Sequence, residues 1–177
     1  MRQCSRVSTE LYLLFLCSYA RLPPSSVHSG SIMFYGDNVQ DTRQLFFSSW
    51  QKYLQKQPLL PLEQQIVDVI LVHPEYHRLL ETASPHDSQP YFPELGQTNP
   101  FLHMGLHIAI REQISTDRPG GIDSLYRQLL QKYSDRLVVE HLMMDCLAES
   151  LWRAQRSQTF PNEKDYLDAL NRLLGVG

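Results

Sequence analysis

The segment from Pro100 to about Thr116 places the strongest constraint on what this chain can fold into. Its apolar residues point in almost every direction around a helix axis: Phe101, Leu102, Met104, Leu106, Ile108, Ala109, Ile110 and Ile114. A helix that is apolar all round has to be buried. Asn99 is a capping residue, and proline suits the first helical position. We therefore expect a central helix near 100–116 that other helices enclose.

The rest of the chain after residue 33 also has a helical pattern. Apolar residues recur three and four positions apart, and prolines and capping residues separate the segments. Apolar residues make up 42% of the chain, enough to form a core, and no alternating strand pattern occurs. The sequence therefore predicts an all-α fold, a compact bundle of five to seven helices around the segment near 100–116.

Residues 1–32 differ in pattern from the rest of the chain and allow three interpretations. Arg2 and Arg6 precede a short apolar run, which is typical of a secretory signal. The segment could also form a surface helix. The interpretation we favour is a non-native upstream extension with Met33 as the true start. It predicts a single helical domain over 33–177 in the cytoplasm; a functional signal at 1–32 would instead place the protein in the periplasm.

Composition excludes several classes of function. The 16 basic and 19 acidic residues give a net charge of −3, which argues against a nucleic-acid partner. The three cysteines contain no CxxC pair, which excludes a disulfide scaffold and a zinc ribbon. No apolar run reaches the roughly 18–20 residues of a membrane span. No P-loop, GxGxxG or GxSxG motif occurs, so the sequence leaves open whether the protein is an enzyme and on what substrate.

Histidines spaced four apart are the first chemical signal. Two such pairs occur among the seven histidines, where chance would give about 0.3. His103 and His107 lie on one face of the predicted central helix. Pro74 interrupts the other pair, His73 and His77, so we expect only one of those two rings to point inward. Two buried imidazoles are costly unless they form hydrogen bonds or bind a ligand.

A second polar stripe lies on the predicted helix that begins near Asp135. His141, Asp145 and Glu149 occur one after another at intervals of four, and Asp145 stands within an apolar run. A carboxylate buried there would have to be neutral, paired or bound to a metal. The two stripes together predict a site for Zn²⁺, Fe²⁺ or Mn²⁺. Its expected ligands are His77, His103, His107, His141 and Asp145, with His73, Glu112 and Glu149 as supporting residues.

The same residues allow a purely structural interpretation. Asp145 or Glu149 would then bond to the histidines or to Arg111 and close a polar network in the core. In that case the protein is a non-enzymatic interaction module. Its protein partner would bind an exposed apolar face, around Phe46 and Phe47 or around the Tyr91–Phe92 loop.

Three segments carry a family resemblance: residues 73–77 (HPEYH), 99–107 (NPFLHMGLH) and 140–147 (EHLMMDCL). On these motifs the chain resembles an uncharacterised bacterial family, domain-of-unknown-function family 1841, over about residues 33–174. The resemblance implies a small bacterial helical protein that begins near Met33. It brings no established activity, cofactor or partner. It does place five histidines within the signature segments: His73, His77, His103, His107 and His141.

Overall fold

The structure is a computed structural model that describes residues 33–83 and 99–175, with side chains from residue 42 onward. These ranges contain seven α-helices, one 3-10 turn and no strand. The helices are α1 (Met33–Leu54), α2 (Pro61–Leu71), α3 (His77–Thr82), α4 (Pro100–Thr116), α5 (Ile122–Tyr133), α6 (Arg136–Ser157) and α7 (Glu163–Leu174), and the turn is Pro74–Tyr76. The predicted all-α class and helix number are confirmed.

The described residues fall into two compact units. The N-terminal unit ends at Ile108 and the C-terminal unit begins at Ala109, so the boundary lies within α4. The signal-like segment 1–32 and the Tyr91–Phe92 loop lie outside the described residues. The single domain expected over 33–177 stays a prediction.

An aromatic and aliphatic cluster forms the core of the N-terminal unit. Helix α1 packs against α2 and α3, and Phe46 contacts Phe101 edge to face with ring centroids 5.9 Å apart. The cluster comprises Phe46, Phe47, Trp50, Ile66, Val69, Ile70, Leu80, Phe101, Met104 and Ile108. The partner face expected around Phe46 and Phe47 is therefore wrong, because these rings are only 2% and 6% exposed. Their apolar area is already buried within the unit.

The start of α2 is fixed by local chemistry. Pro61 occupies the first turn, where its missing N–H removes no helical hydrogen bond. The Leu60 amide donates to Glu63 Oε2 over 2.8 Å, and the Lys52 ammonium of α1 pairs with the other carboxylate oxygen. These bonds to the ionised form lower the pKa of Glu63, the amide bond most and Lys52 next. Glu63 thus joins α2 to α1.

The C-terminal unit contains the end of α4 and three helices that pack pairwise, α5, α6 and α7. Side chains cap the start of two of these helices. Asp135 accepts from the amides of Leu137 and Val138 at the start of α6, and Asn162 accepts from the amides of Lys164 and Asp165 at the start of α7. Gly121 precedes α5 with φ +92°, a conformation that glycine adopts without strain. The buried side chains include Leu129, Met143, Leu147 and Leu170.

Helix α4 is enclosed as its sequence predicts. No residue from Pro100 to Ile114 is exposed, and the first exposed residue is Ser115. His107 and Gln113 are among its buried polar side chains. In the ranges that the structure describes, none of the helices combines the length and apolar character needed to cross a bilayer.

Replacing Glu63 by Gln should destabilise the protein at neutral pH, because the Lys52 ion pair is lost and the hydrogen bond to the Leu60 amide is weakened. The lowered pKa fixes the sign of the pH dependence. The stabilisation is present above about pH 4.5 and disappears as the pH falls through the folded-state pKa. Chemical denaturation at pH 7 and at about pH 3 should show a stability difference between wild type and E63Q that shrinks on acidification. A difference that stays constant with pH would contradict this assignment.

Candidate metal centre

Three imidazoles of the N-terminal unit lie together. His103 and His107 are on α4, one helical turn apart, and His73 comes just after the end of α2. One potential ligand nitrogen from each lies within 4.8 Å of the others. His73 is 3% exposed and His107 is fully buried, whereas His103 is half-buried. We call these three residues the histidine cluster.

A short contact in the histidine cluster joins two ring nitrogens. Nε2 of His73 lies 2.9 Å from Nε2 of His107. The His103 ring stands edge-on to both, with centroids 4.7 Å from His73 and 5.0 Å from His107. Without a metal, the short contact is a hydrogen bond in which one Nε2 carries the proton and the other accepts it. The two nitrogens therefore face a common point.

A carboxylate lies behind His73. Oε1 of Glu75 is 2.9 Å from His73 Nδ1, the ring nitrogen that does not face His107. Partial burial favours the neutral acid, but the hydrogen bond from the Glu75 amide and the interaction with His73 outweigh it, and the pKa of Glu75 falls below its usual value. Glu75 is thus ionised at neutral pH and can accept a hydrogen bond from His73 Nδ1.

Tyr76 borders the histidine cluster on another side. Its ring centroid lies 5.7 Å from that of His73 and 5.8 Å from that of His103. Burial and then the charge of Glu75 raise the pKa of Tyr76 above its usual value. The phenol therefore stays protonated at neutral pH and is a hydrogen-bond donor beside the cluster rather than an anionic ligand.

The spacing of the cluster is close to what one metal ion needs. A zinc–imidazole bond is about 2.0–2.1 Å long, so two nitrogens on one ion are at most about 4.2 Å apart. The nitrogens lie within 4.8 Å of one another, a bound slightly above this limit. Ring rotations that move the nitrogens by a fraction of an ångström would bring all three within this limit. The donors, neutral imidazoles, suit zinc and its neighbours in the first transition row.

His77 has other contacts. Its Nε2 lies 2.9 Å from the carbonyl oxygen of Ile70, and its ring lies against Trp50 with centroids 4.6 Å apart. Of the pair that Pro74 interrupts, His73 is the ring in the cluster. The ligand set expected from the sequence places His77 among the ligands and His73 in a supporting position. The structure gives His73 the ligand-like environment.

The predicted ligands of α6 lie in the C-terminal unit. His141 is half-buried, as is Glu112 of α4. The expected burial of Asp145 is wrong, because this residue is exposed. Glu149 is also exposed, and its carboxylate accepts from Arg153 Nε over 2.7 Å. The apolar run around Asp145 covers the whole helix circumference, but only one face of α6 packs inward.

The buried carboxylate of α6 is Glu140 instead. It is 0% exposed. Arg111 donates to it through Nε over 3.1 Å and Nη2 over 3.0 Å, and Arg136 adds a bond of 2.8 Å. A buried charge with two guanidinium partners and several hydrogen bonds is compensated. The polar core network that the structural interpretation expects is present here, although with Glu140 rather than Asp145 or Glu149.

A separate groove of about 790 Å³ runs between α6 and α7 in the C-terminal unit. Trp152 and Phe160, which are 41% and 90% exposed, lie along it. Cys146 also lines it, and burial, together with the smaller effect of the Asp145 charge, raises the pKa of its thiol. A raised pKa reduces the thiolate fraction, so this cysteine has the character of a packing residue rather than a nucleophile.

Comparison with known sequences shows the family. The family model described as Domain of unknown function (DUF1841) matches residues 38–172. The chain belongs to this family. No curated protein and no solved structure matches it. The expected family membership is confirmed, and the family description assigns no activity.

Replacing Arg111 by Met should destabilise the protein strongly, because the fully buried Glu140 would lose its main partner. Removing one partner of a buried ion pair costs about 3–5 kcal/mol of unfolding free energy. Replacing Arg136, whose side chain is 64% exposed, by Ala is the matched control. Its cost should stay below about 1 kcal/mol. Equal costs in chemical denaturation would contradict the assignment of Arg111 as the principal partner.

Proposed function

We propose that this protein binds one divalent transition-metal ion through His73, His103 and His107. The observation that carries the proposal is the pair of Nε2 atoms of His73 and His107, which face each other at 2.9 Å in a buried site. An ion would replace the proton that the two nitrogens share. The third nitrogen, from His103, lies within 4.8 Å of both.

The donor set limits the identity of the ion. Imidazole nitrogen is a good ligand for Zn²⁺, Fe²⁺, Ni²⁺ and Cu²⁺, whereas Ca²⁺ and Mg²⁺ prefer oxygen ligands. Among the ions predicted from the sequence, Zn²⁺ and Fe²⁺ fit this set better than Mn²⁺, which favours carboxylate and water ligands. We therefore propose zinc or ferrous iron.

His141, which the sequence predicts as a ligand, stays part of the proposal as a fourth ligand. His141 is a half-buried imidazole within a family signature segment, and it comes directly after the buried Glu140. Asp145 is exposed and is not among the proposed ligands. Three protein ligands with an open position would favour activation of a bound water molecule, whereas four histidines would favour a structural ion. The ligand count therefore bears on whether the protein is an enzyme.

The alternative is a non-enzymatic interaction module with a polar core. The Arg111–Glu140–Arg136 network supports this candidate, because it satisfies a buried charge without any ligand. In this case the histidine cluster would be a second hydrogen-bonded network, in which Glu75, His73 and His107 form a chain.

The compartment, the cytoplasm if synthesis begins at Met33, stays a prediction.

Metal analysis of the purified full-length protein tests the proposal. We expect close to one equivalent of zinc or iron per chain after loading and desalting. H73Q and H107Q should each retain less than about a tenth of it, because a missing imidazole weakens a three- or four-ligand site severely. H77Q is the matched control and should bind as the wild type does, since a glutamine can still donate a hydrogen bond to the Ile70 carbonyl.

Two further measurements define the outcome. H141Q should lower the affinity if His141 is a ligand and leave it unchanged if the site has three protein ligands. Circular dichroism of each metal-free variant tests whether that variant is folded. Wild-type protein that holds no metal after incubation with Zn²⁺ or Fe²⁺ would overturn the metal proposal and favour the interaction module.

A further inference from the structure

The Glu75 carboxylate contacts the histidine cluster at Nδ1 of His73. It lies two residues after His73, in the 3-10 turn Pro74–Tyr76 that separates α2 from α3. His73 is the residue that precedes this turn, and its carbonyl oxygen accepts from the Tyr76 amide over 3.0 Å. The tight turn brings the Glu75 carboxylate back to Nδ1 of His73, with an oxygen–nitrogen distance of 2.9 Å.

We propose that Glu75 is a positioning residue that fixes His73 in the Nδ1–H tautomer and so presents its Nε2 lone pair to the metal. A neutral imidazole carries one proton, on either of its two nitrogens. An ionised carboxylate accepts hydrogen bonds and cannot donate one, so it holds the proton on the nitrogen that it faces. The other nitrogen, Nε2, is then left as the acceptor that points at His107.

The carboxylate has a second effect on the same ring. Its negative charge makes the imidazole a stronger electron donor, and it offsets part of the charge of an ion bound at Nε2. Carboxylate–histidine–metal arrangements of this kind orient the ring and raise the affinity of the site. The metal part of this inference rests on the proposed function, whereas the tautomer part concerns the metal-free protein.

Glu75 can be replaced without disturbing the core. Its side chain is 55% exposed, while that of His73 is 4% exposed. Removing the carboxylate therefore leaves no buried cavity, so an effect on the cluster reports the loss of the carboxylate and of its contact with His73. Glu81, an exposed carboxylate on the adjacent helix α3, is a suitable control of the same charge.

The first experiment reads the tautomer of His73 directly. Long-range proton–nitrogen correlation spectra of the full-length, metal-free protein distinguish the two ring nitrogens, and H73Q identifies the His73 signals. We expect Nδ1–H in the wild type and in E81Q, and a mixture of tautomers in E75A. E75Q keeps an acceptor oxygen and should retain more of the Nδ1–H form than E75A. An unchanged tautomer in E75A would overturn the proposal.

The second experiment measures zinc affinity by competition with a chromophoric chelator. Loss of such a partner typically weakens metal affinity about 10–100-fold. We expect E75A to fall in this range, E75Q to lie between E75A and the wild type, and E81Q to match the wild type. An affinity of E75A within about twofold of wild type would refute the role of Glu75. If wild-type protein binds no zinc, the proposed function fails, and the tautomer experiment still decides the role of Glu75.

Discussion

The arrangement of the N-terminal unit depends on the hydrogen bond between the buried imidazole of His107 and the ring of His73. A polar ring with no access to water costs several kcal/mol unless it finds a partner. His73 supplies one at 2.9 Å, and it can do so only because α2 ends at Leu71 and the chain turns before Pro74. The aromatic core around α1 and α2 and the turn after α2 together hold that contact in place.

The C-terminal unit also buries a polar group, and there oppositely charged side chains compensate it. Glu140 is fully buried, and two guanidinium groups, Arg111 and Arg136, surround its carboxylate. Such a network compensates its own desolvation and needs no ligand. The histidine cluster differs, because its two facing Nε2 atoms are both potential metal ligands. This contrast is the physical reason for placing the metal proposal on the histidines and the structural role on the carboxylate.

Helix periodicity made the fold predictable, whereas the site was predictable only where it is local. His103 and His107 share a face by helical geometry alone, so their proximity is a consequence of a spacing of four. The choice between His73 and His77 depends on how the turn at Pro74 is packed, and no local pattern decides it. The sequence pattern predicts a buried carboxylate at Asp145, but α6 packs its other face inward and buries Glu140 instead.

The sequence by itself determined the all-α class, the enclosed helix α4, the family and one pair of imidazoles on the same helix face. These features depend on residue types at short, fixed separations, which helix geometry converts directly into position. Only the tertiary structure decided that His73 joins the pair and that Glu75 stands behind it. Which face of a helix packs inward, and which ring a turn directs into a cluster, depend on contacts between residues far apart in the chain. His73 and His107 are 34 positions apart, and only folding brings their nitrogens together.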